Sequence, residues 1–264
     1  MPFLALDGCD LYYELHGSGP PLVFAHGLGG NQLTWWQQVP HFQGRYTCVS
    51  FAQRGFGRST VKDGGLRPDL FADDLAALID HLGFGDVRLV AQSMGGWACL
   101  EYAIGRPERV RALVMADTVG TLTHPESDRL IRENAAAHPR SARYDGGAHP
   151  ACGERMFREQ PALHFLYTQV SGLTSPPPAP DFRDRLAALR TRPAEDLAKL
   201  RMPVLCIAGA EDTVIPPGAV EVLASLIPGA RYVSVPAAGH SVYWERAETF
   251  NRLVDGFLAD VDAR

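Results

Sequence analysis

The sequence lacks any pairing pattern among its cysteines. Its five cysteines are an odd number, and no two have the C-x-x-C spacing that is typical of zinc sites and redox motifs. Cys48, Cys99 and Cys206 lie in apolar stretches, where cysteine behaves as a small hydrophobic side chain. We therefore expect a cytoplasmic protein in a reducing environment, without a metal site.

The chain also lacks an excess of positive charge and any long apolar run. Its 25 Lys and Arg residues against 30 Asp and Glu residues give a net charge of −5, so no basic surface for nucleic acid is expected. The apolar runs are far shorter than the about 20 residues that cross a bilayer. The first residues lack the basic start and apolar region of a signal peptide. We expect no nucleic-acid partner and no membrane association.

What the chain does contain is an alternation of apolar strands and amphipathic helices at both ends. Its 264 residues are enough for one large α/β domain or a domain with an insertion. Strands are predicted at residues 3–6, 10–15, 21–25, 46–51, 87–90, 110–116, 203–208 and 231–235, and helices at 31–39, 69–82, 97–104, 217–227 and 245–258. This alternation predicts an α/β fold with a mostly parallel, doubly wound central sheet.

The alternation stops between residues 118 and 200, where the pattern predicts helices and no strand. The predicted helices cover residues 125–137, 153–160, 162–172, 181–190 and 193–200, with a loop at 139–150 and a proline-rich stretch at 175–180. We interpret the proline-rich stretch as a stiff connector rather than a ligand for a partner module. The sequence thus predicts a core of residues 1–117 and 201–264 that carries an inserted all-helical cap of residues 118–200.

One short motif predicts a nucleophile. The strand at 87–90 breaks at A-Q-S-M-G, residues 91–95, before helical spacing resumes. A strand that turns directly into a helix through a small-x-Ser-x-Gly step is typical of a nucleophile elbow. The serine of such an elbow has a strained backbone, so the residues two before and two after it must be small. Ala91 and Gly95 meet this requirement, although glycine is the usual residue at the first position. Ser93 is the candidate nucleophile.

A serine nucleophile needs a base, and the base needs an orienting group. His240 follows the last predicted strand, and Glu211 and Asp212 follow the strand before it. The carboxyl ends of parallel strands meet at one edge of the sheet, where Ser93 also lies. The chain order Ser93, Asp212, His240 is the order expected with this elbow. We favour Asp212 as the orienting acid and keep Glu211 and Asp117 as alternatives.

Taken together, these motifs resemble the α/β-hydrolase family over the whole chain. The resemblance implies that the backbone N–H groups of Leu28 and Met94 hold the oxyanion, and that His26 supports its loop. The R-G-F-G-R-S stretch at residues 54–59 resembles the family's D-x-R-G-x-G-x-S turn, with Ala52 in place of the usual aspartate.

Two tryptophans near the motifs, Trp35 and Trp97, are candidate substrate-binding residues, with core packing as the alternative interpretation.

The resemblance implies a serine hydrolase that cleaves a small, largely apolar carboxylic ester or lactone through an acyl-enzyme intermediate. It implies a small-molecule substrate and no cofactor, and it predicts no oligomeric state. A serine at the elbow argues against dehalogenase or epoxide hydrolase chemistry, which the family ties to aspartate. The alternatives are carbon–carbon bond hydrolysis of a dienone acid, perhydrolase activity, a low-turnover ligand-binding receptor and a scaffold protein. Carbon–carbon hydrolases often have tryptophan directly after the histidine, where this chain has Ser241.

Overall fold

A single sheet organises the chain. The computed structural model describes residues 2–62, 66–139, 147–174 and 179–263. Within these ranges the sheet has eight strands in the order β1-β2-β4-β3-β5-β6-β7-β8. The strands are β1 (Phe3–Leu6), β2 (Cys9–His16), β3 (Pro21–Ala25), β4 (Thr47–Phe51), β5 (Val87–Gln92), β6 (Val110–Ala116), β7 (Val204–Gly209) and β8 (Arg231–Val235).

Strands β3 to β8 are parallel, and only β1 and β2 pair antiparallel with their neighbours. The antiparallel pair is a hairpin in which Leu6 faces Cys9, and Gly8 adopts a φ of 67° in its turn. All six parallel strands therefore end at the same edge of the sheet. The prediction of a mostly parallel α/β sheet is confirmed.

Two hydrophobic cores lie on opposite faces of this sheet. In β3, Val23 and Ala25 belong to one core, while Leu22 and Phe24 belong to the other. Strands buried on both faces need apolar residues at consecutive positions, which is why β5 is buried along its whole length. The doubly wound arrangement follows from this two-sided burial.

Helices cover both faces. The α-helices are α1 (Val39–Phe42), α2 (Phe71–His81), α3 (Gly95–Gly105), α4 (Pro125–Ala137), α5 (Glu154–Glu159), α6 (Pro161–Ser171), α7 (Phe182–Ala188), α8 (Pro217–Leu226), α9 (Val242–Glu245) and α10 (Ala247–Asp262). Buried side chains of α2, α3 and α8 contribute to the first core. Those of α1, α9 and α10 contribute to the second.

The helices predicted at 31–39 and 245–258 are each divided in the structure. The predicted helix at 31–39 is a 3-10 helix, Gln32–Trp35, followed by the separate helix α1. Pro40 explains the separation, since proline cannot donate the backbone hydrogen bond that a continuous helix requires. The Asn31 side chain accepts from the Leu33 N–H, so the predicted cap is confirmed. The predicted closing helix starts later, as α10, because the short helix α9 precedes it.

Between residues 118 and 200 the described residues form helices α4 to α7 and the 3-10 helix Ala194–Lys199. The β-pairing described there is limited to one isolated bridge, between Leu122 and Arg192. Parts of the predicted loop and of the proline-rich connector, residues 140–146 and 175–178, lie outside the described residues. The division into a core and a cap agrees with these elements and stays a prediction. No helix in the described part of the chain is long and apolar enough to cross a membrane.

The buried ion pair between Arg54 and Asp74 provides a test of this packing. The two side chains are 5% and 6% exposed, and the guanidinium donates to both carboxylate oxygens, at 2.9 and 2.6 Å. We expect Asp74→Asn to lower the free energy of unfolding by about 3–5 kcal/mol, because it leaves a buried guanidinium unpaired. Urea unfolding measures this loss. The matched control is Asp69→Asn in the exposed Arg67–Asp69 pair, which should cost less than about 1 kcal/mol. Equal losses in the two variants would contradict the prediction.

Candidate active site

Ser93 lies in the sharp turn between β5 and α3. Its φ of 48° places it in the left-handed region, which costs a non-glycine residue about 1–3 kcal/mol. Its N–H donates to the Ala116 carbonyl at 3.0 Å, which ties the turn to the end of β6. The helix begins two residues later, at Gly95. The strained backbone expected for a nucleophile is therefore present.

Close backbone contacts explain the small residues around Ser93. A Cβ atom on Gly95 would lie 2.1 Å from the Ala25 carbonyl oxygen, a separation that no side chain tolerates. Gly27 is also close to the turn, because a Cβ there would lie 2.1 Å from Gln92 Oε1, at the end of a side chain that can move, and 3.1 Å from Ser93 Cβ. The end of β3 and the loop that follows it thus pack directly against the turn.

His240 hydrogen-bonds both Ser93 and Asp212. Its Nε2 lies 2.8 Å from Ser93 Oγ, and its Nδ1 lies 2.8 Å from Asp212 Oδ2. The other Asp212 oxygen accepts the N–H groups of Val214 and Ile215 at 2.7 and 3.0 Å. These bonds hold the carboxylate in one orientation, with its free lone pairs facing the imidazole. His240 and Asp212 are 5% and 4% exposed, so solvent screens their interaction poorly.

The two alternative acids face elsewhere. Glu211 is exposed and pairs with Arg155 of α5, with a separation of 2.8 Å. Asp117 is buried at the end of β6, where it accepts the Gly209 N–H at 2.9 Å and the Val242 N–H at 3.1 Å. Burial and the nearby Asp212 raise the pKa of Asp117 well above its usual range. Its contacts join the ends of β6 and β7 to the segment after His240.

Leu28 and Met94 each directly follow one of the two residues in the close contact between Gly27 and Ser93. Neither the Leu28 N–H nor the Met94 N–H donates to any atom in the described part of the chain. Met94 is also at the amino end of α3, where the helix dipole favours negative charge. The two donors predicted for an oxyanion therefore make no hydrogen bond within the described residues.

His26 connects the loop after β3 to the segment after β4. It is fully buried; its Nε2 accepts the Gln53 N–H at 2.9 Å, and its Nδ1 lies 2.8 Å from the Gly27 carbonyl oxygen. With Nε2 as the acceptor, Nδ1 carries the proton and donates to that carbonyl. Burial lowers the pKa of His26 to about 4. The neutral ring therefore fits the supporting role implied by the family resemblance.

Gln92 and Glu245, which no sequence motif marks, hold the His240 backbone. Gln92 directly precedes Ser93, and its amide donates to the His240 carbonyl at 2.8 Å. Glu245 is buried five residues after His240 and accepts backbone N–H groups on both sides of it. In the sequence, Glu245 is marked only by its position as a single carboxylate directly after the apolar residues 242–244.

The two candidate tryptophans lie in the cores. Trp35 is fully buried and packs against Phe24 and Tyr243. Trp97 is 8% exposed and donates its indole N–H to the Leu186 carbonyl of α7. These contacts favour packing roles, and a substrate-binding role for either residue stays a prediction.

A serine at a strand-to-helix turn, with a histidine and a carboxylate at the ends of later parallel strands, defines the α/β-hydrolase class of enzymes. Residues 22–253 match the sequence profile of the alpha/beta hydrolase family. The chain belongs to this family.

Three relatives illustrate the range of named activities. BpoC of Mycobacterium tuberculosis, whose name proposes a non-heme bromoperoxidase, is 30% identical over 96% of this chain and 99% of its own. The 3-oxoadipate enol-lactonase 2 of Acinetobacter baylyi is 27% identical over 90% of this chain and 88% of its own. The structure of a thermophilic esterase from Thermogutta terrifontis superposes with a TM-score of 0.76 at 27% identity, covering 96% of this chain and 94% of the esterase.

The depressed pKa of His26 predicts a pH-dependent stability. Unfolded protein binds a proton at this residue near pH 6.5, whereas folded protein does so only near pH 4. Stability should therefore fall as the pH decreases through this window, by about 1.4 kcal/mol per pH unit. The variant His26→Gln keeps one donor and one acceptor but does not titrate.

Urea unfolding at pH 7 and pH 5 tests this expectation. Between these pH values the wild type should lose about 2 kcal/mol more stability than His26→Gln. A variant that loses as much as the wild type would exclude His26 as the responsible group.

Proposed function

We propose that the protein is a serine hydrolase that cleaves small, largely apolar carboxylic esters or lactones. The observation that carries the proposal is the unbroken hydrogen-bond chain from Ser93 Oγ through His240 to Asp212. The A. baylyi lactonase and the T. terrifontis esterase are named for these two substrate classes, and each aligns with at least 90% of this chain.

In the first half-reaction, His240 Nε2 accepts the Ser93 hydroxyl proton while Oγ attacks the substrate carbonyl carbon. Asp212 keeps the Nδ1 proton of the ring on its own side and stabilises the imidazolium that forms. The negative charge that develops on the carbonyl oxygen is stabilised by the N–H groups of Leu28 and Met94. The tetrahedral intermediate then expels the alcohol, which takes the proton from His240, and leaves an acyl group on Ser93.

In the second half-reaction, water attacks the acyl carbonyl and gives its proton to His240. The same two N–H groups hold the second oxyanion. Ser93 leaves as the alkoxide and recovers the proton from His240, so the enzyme is regenerated and a carboxylic acid is released. In a lactone the leaving alcohol and the acid belong to one molecule.

A small cavity of about 10 Å³, enough for one water molecule, lies beside the oxyanion loop. It lies between Leu28, Gln92 and the side chains of Tyr167 and Val170 on α6. Trp244 also lines the cavity. The polar side chains of Thr34, Gln92 and Ser171 share this lining with the apolar ones, so the cavity suits a bound water molecule rather than a substrate group.

Peroxide-dependent activity is the second candidate, favoured by the name of the M. tuberculosis relative. Hydrogen peroxide would replace water in the second half-reaction and release a peracid. Bromination assays with acetate, bromide and hydrogen peroxide test this activity on the same enzyme preparation.

Hydrolysis of nitrophenyl esters of increasing acyl length tests the main proposal. We expect multiple turnovers that are fastest for short acyl chains, and a loss of more than about 10⁴-fold in kcat for Ser93→Ala, because the nucleophile is removed. Equal rates for Ser93→Ala and wild type would exclude Ser93. Substrate binding without turnover in the wild type would instead indicate a receptor.

The choice of acid is tested separately. Asp212→Asn should lower kcat by about 10⁴-fold, because the amide no longer favours the required histidine tautomer. Asp117→Asn should lower kcat far less and mainly reduce stability, since Asp117 contacts backbone N–H groups only. Steady-state kinetics and urea unfolding of both variants separate the two effects. A larger kcat loss for Asp117→Asn would reverse the assignment.

A further inference from the structure

Glu245 is a buried carboxylate whose hydrogen-bond partners, among the residues the structure describes, are all backbone N–H groups. It is 3% exposed. One oxygen accepts the N–H groups of Gly153 at 3.1 Å and Ser241 at 3.2 Å. The other accepts the Gly239 N–H at 2.9 Å. Two of these donors are the residues directly before and after His240, so the carboxylate spans the histidine.

The His240 backbone is held by hydrogen bonds to side chains at four consecutive positions. Glu245 accepts the N–H of residue 239, and Gln92 donates to the carbonyl of residue 240. Glu245 also accepts the N–H of residue 241, and Asp117 accepts the N–H of residue 242. Because the imidazole ring must meet both Ser93 and Asp212, its position depends on how well this backbone is held. Glu245 supplies two of the four bonds.

The third donor to Glu245 comes from the segment before α5. Gly153 lies so close to Gly239 that a Cβ atom on Gly239 would be 2.4 Å from the Gly153 nitrogen. Ser241 Oγ also donates to the Ala151 carbonyl at 2.6 Å. The segment 151–153 of the predicted cap therefore packs directly on the backbone that carries His240, with Glu245 between them.

We propose that Glu245 is a positioning residue that holds the His240 backbone in its productive place and couples it to the docked segment 151–153. The proposal rests on the proposed function of Ser93 and His240. It assigns Glu245 no contact with the substrate; its effect on the reaction passes through the histidine.

The chemistry of the site requires a carboxylate. Three N–H donors converge on two oxygens, and both oxygens of a carboxylate are acceptors. In Glu245→Gln one oxygen becomes an NH₂ group, which places a donor opposite at least one N–H. The side chain keeps its size, so the variant removes hydrogen bonds without creating a large cavity.

Steady-state hydrolysis by the full chain tests the proposal. We expect Glu245→Gln to lower kcat by roughly 10- to 100-fold with KM changed by less than about threefold, because a displaced base slows the chemical step without weakening substrate binding. The NMR resonance of the proton in the His240–Asp212 hydrogen bond, assigned by its absence in Asp212→Asn, should shift or broaden. A role in stability alone would leave this resonance and kcat of the folded protein unchanged.

A substitution in segment 151–153 tests the coupling between this segment and the His240 backbone. Gly153 has φ −68° and ψ 146°, a conformation that alanine adopts freely. A Cβ there would lie 2.8 Å from Glu245 Oε2 and 3.2 Å from the Gly239 nitrogen. Gly153→Ala should therefore displace the carboxylate and lower kcat with little change in KM. This test remains informative even when Glu245→Gln fails to fold.

Two control variants separate positioning from general effects. Glu248→Gln removes an exposed carboxylate three residues along the chain and should have wild-type kcat. Asp74→Asn removes a buried carboxylate that pairs with Arg54 and should lose stability but keep kcat per folded molecule. Wild-type kcat in both Glu245→Gln and Gly153→Ala would overturn the positioning role while leaving the hydrolase proposal intact. Equal rates in Ser93→Ala and wild type would overturn the hydrolase proposal itself.

Discussion

The close approach of three backbone segments at Ser93 is the constraint on which the rest of the site depends. The end of β3, the turn after β5 and the start of α3 meet at distances that leave no room for a Cβ atom on Gly95. Ser93 has a left-handed backbone within this contact. A substituent on Gly95 would push the turn that carries Ser93, the proposed nucleophile, away from the end of β3.

Around His240, the constraint is the cost of burying carboxylate groups. Asp117, Asp212 and Glu245 are buried carboxylates, and burying such a group is unfavourable unless hydrogen bonds replace the lost water. Backbone N–H groups from the loops after β7 and β8 supply most of those bonds. The loops are consequently held in one shape, and that shape brings His240 between Ser93 and Asp212. The cost of burying charge is thereby offset by contacts that also organise the site.

Much of the fold followed from periodicity, because strands buried on both faces and helices buried on one face leave distinct patterns. β6 and β8 occur at their predicted bounds. The predicted helix at 31–39 was wrong in its continuity, since the pattern of apolar residues does not register the missing N–H of Pro40. Within the site, Ser93, Asp212 and His240 were predictable from chain order and strand ends. Gln92 and Glu245 were not, because each acts on backbone groups that carry no residue-specific signal.

The sequence by itself determined the alternation of strands and helices, the position of the elbow and the chain order of the three polar residues. These are local properties, set by hydrophobic spacing and by the steric needs of a tight turn. Only the tertiary structure decided that Asp212, rather than its neighbour Glu211 or the buried Asp117, faces His240. It alone also brought the N–H groups of Gly153, Gly239 and Ser241 together on Glu245. Such convergence joins residues far apart in the chain, and it arises from the directions in which folded loops aim their backbone groups.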